Sequence, residues 1–252
     1  MKNLPLSSIC LLFLIVSCSK LTGSKEIGVE QASSKRNGVH VIKDSKGRKE
    51  KSISYKDGKK HGPSKMYYKD GQLQLLIHYR NGVKSDTSKK YYENGQLYRT
   101  MPFDSLGRKH GVVMYYRKDG KVQAEVPFYH GKEQLGLKEY YLSGKLKTEY
   151  PKLVIEKKNN AISGQFFIYV YFEGRPKNTT YYWEGLTENS TLSDFPSKLQ
   201  QENRMGVKTF SLPPNGFLMK TISVTGVMKT KQGHKYLATR KYNLALDSKM
   251  FF

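Results

Sequence analysis

Six histidines, two cysteines and a thin scatter of carboxylates are the side chains that could carry chemistry in this 252-residue chain. The histidines are His40, His61, His78, His110, His130 and His234. His61 and His110 each stand directly before a glycine at the same place in a repeated pattern, and recurrence of that kind points to a structural role. No His-x-x-x-His pair, phosphate loop or Gly-x-Ser-x-Gly elbow occurs. Asp57, Asp70 and Asp119 adjoin glycines, where Asp serves as a turn residue. These patterns predict no catalytic group, no metal ligand and no cofactor.

Cys10 and Cys18 both lie near the start. Lys2 supplies a short positive region and Leu4 to Val16 an apolar run, shorter than the ~20 residues that cross a bilayer. The run ends in Ile15-Val16-Ser17-Cys18, which resembles the bacterial lipobox. That resemblance implies cleavage after residue 17 and a diacylglycerol on Cys18. A mature chain that keeps only Cys18 has no disulfide scaffold, and a lipidated thiol has no nucleophile.

The formal net charge is +23, and it is spread out. Residues 1–50 carry 9 basic and 4 acidic side chains, residues 51–150 carry 20 and 10, and residues 151–252 carry 15 and 7. An even spread implies attraction to anionic surfaces or partners generally. An exported protein rarely meets nucleic acid, so an acidic protein, cell-wall polymer or anionic lipid is the expected partner.

What positions these residues is a repeat. Tyr67-Tyr68-Lys-Asp-Gly71-Gln-Leu73 returns as Tyr91-Tyr92-Glu-Asn-Gly95-Gln-Leu97, as Tyr115-Tyr116-Arg-Lys-Asp-Gly120-Lys-Val122 and as Tyr140-Tyr141-Leu-Ser-Gly144-Lys-Leu146, with a degraded copy at Val41–Gly47. Gly47, Gly71, Gly95, Gly120 and Gly144 are spaced 24, 24, 25 and 24 residues apart. Asp70-Gly71 and Asn94-Gly95 between alternating segments signal hairpins with type I′ turns. Asp57-Gly58, Asn81-Gly82, Leu106-Gly107 and His130-Gly131 supply the second turn of each unit. Leu73, Leu75, Ile77 and Tyr79 should share a face. Asp104-Ser105-Leu106 resembles a short bacterial O-glycosylation acceptor, beside the plainer reading of a loop.

This pattern resembles the MORN repeat in its bacterial variant form, across about residues 40–150. His61-Gly62 leads to Tyr67-Tyr68, and His110-Gly111 to Tyr115-Tyr116. Lys89-Lys90 stands where a small glycine should precede Tyr91, so that unit should bend differently. The resemblance implies a meandering antiparallel array, and it extends to YwqK-like antitoxins, immunity proteins that neutralise a toxin.

Past Pro151 the repeat stops. Apolar segments at 153–156, 165–172, 178–183, 207–212, 217–224 and 235–244 suggest an immunoglobulin-like β-sandwich, with an insertion of helix or loop at 184–205. The expected organisation is all-β: a lipoprotein signal peptide over 1–17, a flexible tether over 18–38, a repeat array over 39–150 and a sandwich over 151–252. The expected function is non-enzymatic binding at the bacterial envelope, from the periplasmic side of the outer membrane, as an immunity protein or an accessory subunit. A structural protein contacting cell-wall polymer or anionic lipid is the alternative. Tyr67, Tyr91, Tyr115 and Tyr140 are predicted to form one row, set among Lys65, Lys69, Lys89, Arg117 and Lys138 as the partner-binding surface. Tyr68, Tyr92, Tyr116 and Tyr141 are predicted to form the opposite row.

Overall fold

A computed structural model describes residues 36–160 and 162–251. The expected signal peptide over 1–17, Cys10, Cys18 and most of the expected tether lie outside the described residues. The described chain is all-β. Among the described residues no helix is long and apolar enough to cross a membrane.

The first half is one antiparallel sheet in which neighbours in sequence are neighbours in space. Its strands are β1 (Gly38–Lys43), β2 (Lys49–Lys56), β3 (Lys59–Tyr67), β4 (Leu73–Arg80), β5 (Val83–Tyr91), β6 (Leu97–Pro102), β7 (Gly111–Tyr116), β8 (Val122–Tyr129), β9 (Lys132–Glu133) and β10 (Lys138–Glu139). β10 pairs with β8 beside β9. The last three residues assigned to the tether belong to this array. Gly38 opens β1, Asn37 Oδ1 accepts from the Asp57 N–H and the Arg36 carbonyl accepts from the Gly58 N–H.

Two kinds of turn alternate. At Asp57-Gly58, Asn81-Gly82 and His130-Gly131 both residues have positive φ, the type I′ geometry. The turns at Gly71 and Gly95 differ from the type I′ expected there. The Tyr68 N–H donates to the Gln72 carbonyl and the Gly71 N–H to the Tyr68 carbonyl, so the loop has three residues and only its glycine has positive φ. This is the type I turn with a glycine bulge. Asp70 and Asn94 keep a different task, accepting a hydrogen bond from the N–H two residues on. Leu106-Gly107 belongs to this second kind too, closed by Gly107 N–H to the Asp104 carbonyl.

Just after the turns at Gly71, Gly95 and Gly120 the ladder slips by one residue. Tyr67 pairs with Leu73 but Met66 with Leu75; Tyr91 pairs with Leu97 but Lys90 with Arg99; Tyr116 pairs with Val122 but Tyr115 with Ala124. Gln74, Tyr98 and Gln123 are the extra residues, and Glu50 is their counterpart between β1 and β2. Each bulge reverses the alternation. Leu73 therefore parts from Leu75, Ile77 and Tyr79 and joins the face of Tyr67.

The second half is two four-stranded antiparallel sheets. One is ordered β11 (Leu153–Asn160), β12 (Gln165–Phe172), β16 (Met205–Ser211), β15 (Gln200–Glu202); the other β14 (Ser197–Lys198), β13 (Thr179–Trp183), β17 (Phe217–Lys229), β18 (Lys235–Asp247). Phe166, Ile168, Val170 and Phe172 of one meet Tyr181, Trp183, Ile222, Val224, Leu244 and Leu246 of the other in a shared core. The stretch 184–205 holds two short strands where a helix or loop was expected. β17 and β18 are longer than the sandwich needs. Their hairpin tip, Thr230–His234, closes with the same three-residue loop as the array and rests on the array's last strands. There Met101, Val113, Ala124, Val126, Phe128 and Leu137 form a second core, with Tyr150 and Tyr236 against it.

Candidate functional site

The array's side chains fall into repeated interactions. The residue three before Gly71, Gly95 and Gly120 reaches into the next unit. Tyr68 Oη donates to the Tyr91 carbonyl at 2.6 Å and Tyr92 Oη to the Tyr116 carbonyl at 2.8 Å. Arg117 donates to the Tyr140 carbonyl in the same way, and also to that of Val122. In the fourth copy the glycine lies one residue further on, so Arg117 takes the place of Tyr68 and Tyr116 the place of Tyr67. The predicted row of Tyr67, Tyr91, Tyr115 and Tyr140 is thus corrected to Tyr67, Tyr91, Tyr116 and Tyr140.

The histidines are part of the same scheme. His61 Nδ1 lies 3.5 Å from the Asn81 N–H, and His110 Nδ1 lies 3.5 Å from the His130 N–H. Asn37 does this for Asp57. The acceptor side chain steadies the first residue of the following type I′ turn. Asp86, not Lys89-Lys90, stands where Gly62 and Gly111 stand, and it keeps the same bend with φ +56° against +83° and +95°.

Register pairing sorts the remaining residues onto two faces. One face carries Ser52, Lys65, Leu76, Lys89, Thr100, Met114, Glu125 and Lys138 in one row across the strands. Two residues along their strands from Lys65, Lys89 and Lys138 stand Tyr67, Tyr91 and Tyr140, on the same face. Of the nine residues predicted to bind, these six come together. Lys69 is exposed in a turn. Tyr115 faces the other way, beside His234 with ring centroids 4.7 Å apart. Arg117 is spent on backbone carbonyls. Tyr140 Oη donates to the Glu125 carboxylate, and Lys138 lies 3.2 Å from it. The Tyr140 hydrogen bond, and then the Lys138 charge, hold the Glu125 carboxyl below its ordinary value against the effect of burial. Lys65, Lys69 and Lys89 have no carboxylate partner among the described residues.

The opposite face carries a set that was not singled out in the sequence. Arg36 lies over the Tyr55 ring at 5.7 Å, Lys60 over Tyr79 at 5.2 Å, Lys84 over Phe103 at 5.5 Å and Lys109 over Phe128 at 4.6 Å. Each cation precedes its ring by 19 residues, and both series advance by 24, 24 and 25. The same period is legible in the sequence beside the Tyr-Tyr repeat, with Arg36 standing where the later copies have lysine.

One further cluster gathers ligand-type atoms. Asp104, His110 and His130 place one such atom each within 4.8 Å of the others. Asp104 Oδ2 lies 2.7 Å from His130 Nδ1, and the Arg108 guanidinium lies 2.8 Å from the same nitrogen and 2.9 Å from the carboxylate. Burial works to raise the Asp104 pKa, but the hydrogen bonds of His130 and Arg108 and two backbone N–H groups hold it well below the carboxylate range. Arg108 repeats the role of Arg48 beside Asp44. A fixed guanidinium already supplies the positive charge there, so the residues do not suit a metal ion.

The segments 60–81 and 87–105 match the MORN repeat variant family. These are the hairpins β3–β4 and β5–β6. No curated protein matches the chain.

Proposed function

We propose that this protein is a non-enzymatic binding lipoprotein of the bacterial envelope. It is held to the periplasmic side of the outer membrane by a lipid on Cys18 and captures an acidic protein partner on the lysine and tyrosine face of its repeat array, as an immunity protein or an accessory subunit of an envelope complex. The observation that carries this reading is the row of Lys65 and Lys89 flanked by Tyr67 and Tyr91, where unpaired positive charge adjoins half-buried aromatic surface. Such a mixture suits recognition of an acidic protein. The anchor rests on the lipobox: acyl chains contribute ~0.8 kcal/mol per buried CH₂.

Affinity capture from envelope extract with the native chain and with Lys65→Glu/Lys89→Glu tests the reading. Capture of a defined acidic protein, weakened in the variant and with a shallower salt dependence, supports it. Equal capture by both proteins overturns it. Cys18→Ala should leave the membrane fraction or stall in processing; a correctly cleaved variant that stays with the membrane refutes the anchor.

A further inference from the structure

We propose that the face opposite the lysine and tyrosine row is a binding track for a linear anionic polysaccharide. The proposal is independent of the protein-capture reading, since it concerns other residues on the other side of the sheet.

The track is a strand-by-strand alternation. Tyr55 of β2 is register-paired with Lys60 of β3, Tyr79 of β4 with Lys84 of β5, and Phe103, just past β6, with Lys109 before β7. Each cation also lies over the aromatic ring of the following unit. The alternation therefore runs unbroken from Arg36 to Phe128, perpendicular to the strands. All these rings lie on one face. Tyr79 follows Leu75 and Ile77 in unbroken register with β3, and Phe128 follows Ala124 and Val126 into the second core.

Arg36, Lys60, Lys84 and Lys109 have no carboxylate partner among the described residues, although other lysines and arginines of the array do. A cation held over an aromatic ring is fixed in place and still keeps its full charge. The side-chain ordering that anion binding requires is then already done.

The spacing points to the ligand. Neighbouring strands lie about 4.8 Å apart, so like charges recur every ~9.6 Å along the track. Identical sites at a constant step suit a ligand that is itself a linear repeat. An extended peptide turns the same side outward every second residue, about 6.7 Å, and so misses the adjacent site by about 3 Å. A disaccharide repeat of an extended acidic glycan covers about two strand spacings, and sugar C–H faces suit the half-buried rings of Tyr55, Tyr79 and Phe103, whereas Phe128 is buried at the far end. At its far end the track enters a cleft of about 400 Å³ between array and sandwich, lined by Lys109, Phe128, Lys132, Glu133, Leu192 and Lys235. Lys132 and Lys235 are ion-paired with Asp194 and Glu133, which leaves Lys109 as the cleft's available cation among the described residues.

Titration calorimetry of the purified protein with oligogalacturonates of increasing length tests this, with neutral chito-oligosaccharides and inorganic polyphosphate as controls. Affinity should climb with each added disaccharide until the track is filled, while the neutral series fails to bind. Lys60→Gln/Lys84→Gln should weaken binding of the longest oligomer roughly tenfold or more. The Arg versions at both positions should retain it, and Lys65→Gln/Lys89→Gln on the other face should leave it unchanged. Affinity independent of length, equal loss from either face, or polyphosphate binding as tightly as the uronate chain would each overturn the proposal. Loss of protein capture without loss of uronate binding, or the reverse, separates this proposal from the one above.

Discussion

Asp86 does with a carboxylate what Gly62 and Gly111 do without a side chain. At φ +56° it occupies a region that costs most L-residues about 1–2 kcal/mol, and Asp tolerates it because its short polar group bonds locally. Here Asp86 Oδ2 accepts from Ser85 Oγ at 3.2 Å. Asp86→Gly should leave the melting midpoint unchanged or raised, while Asp86→Ala should lower stability by about 1 kcal/mol. Equal midpoints for the Gly and Ala variants would show that this bend carries no strain. His234 gives a second test at this scale. Burial lowers its pKa below the ordinary value of 6.5, partly opposed by Glu139 and Glu133, and its Nε2 is buried without a hydrogen-bond partner. The unfolded chain therefore takes up the proton first as pH falls. Stability is complete above about pH 6.5 and declines below it, towards the lower folded pKa. Chemical denaturation at pH 7.5 and 5.5 should show this decline, and His234→Phe should flatten it. An identical slope in the variant would place the pH dependence elsewhere.

A hairpin of this array is specified by its turns more firmly than by its faces. Gly71 has φ +90° with nothing near its absent Cβ, so Gly71→Ala should cost only the backbone penalty, about 1 kcal/mol. At Gly107 a Cβ would lie 2.9 Å from Val83 Cγ1 and 3.3 Å from the Lys84 nitrogen, so Gly107→Ala should cost clearly more. Urea midpoints that rank the two variants the other way would contradict this packing. The glycine spacing was legible because backbone conformation leaves few residues that can serve. The faces were not legible, because Glu50, Gln74, Tyr98 and Gln123 share no chemistry that marks them as bulges. Each nonetheless reverses which side chains look out. The one-residue slip at Gly120 hid in the same way: Tyr115-Tyr116 looks like the earlier pairs, yet Arg117 has taken the stapling position. In the second half, alternation at Phe166, Ile168, Val170 and Phe172 was readable, whereas β14 and β15 are too short to show a period.

The array and the sandwich are joined through a buried charge. Glu139 is fully buried; Thr230 Oγ1 donates to it at 2.5 Å, Lys147 lies 3.3 Å away and Tyr150 Oη donates at 3.4 Å. Thr230 belongs to the β17–β18 hairpin tip and Glu139 to β10, so this contact links the two halves. Gln232 adds a bond to the Tyr140 carbonyl. Tyr236 of the same hairpin stacks on Tyr150 at 4.3 Å and 7°, and it packs against both cores. Removing the Thr230 hydroxyl takes a charge-assisted bond worth about 1.5–3 kcal/mol from the joint, and Thr230→Val keeps the side chain's shape. The single tryptophan, Trp183, lies in the sandwich core, while 13 of 19 tyrosines lie in residues 51–150. Tryptophan fluorescence therefore follows the sandwich and near-ultraviolet tyrosine signals follow the array. With Glu139 satisfied, the two signals should lose structure at one urea concentration. In Thr230→Val, and more so in Thr230→Val/Glu139→Ala, the array signal should break away at lower urea, because the array's core at Met101, Val113 and Phe128 is covered by the hairpin that this contact holds down. Coincident transitions in the double variant would show that apolar stacking around Tyr236 joins the halves without help from the charge.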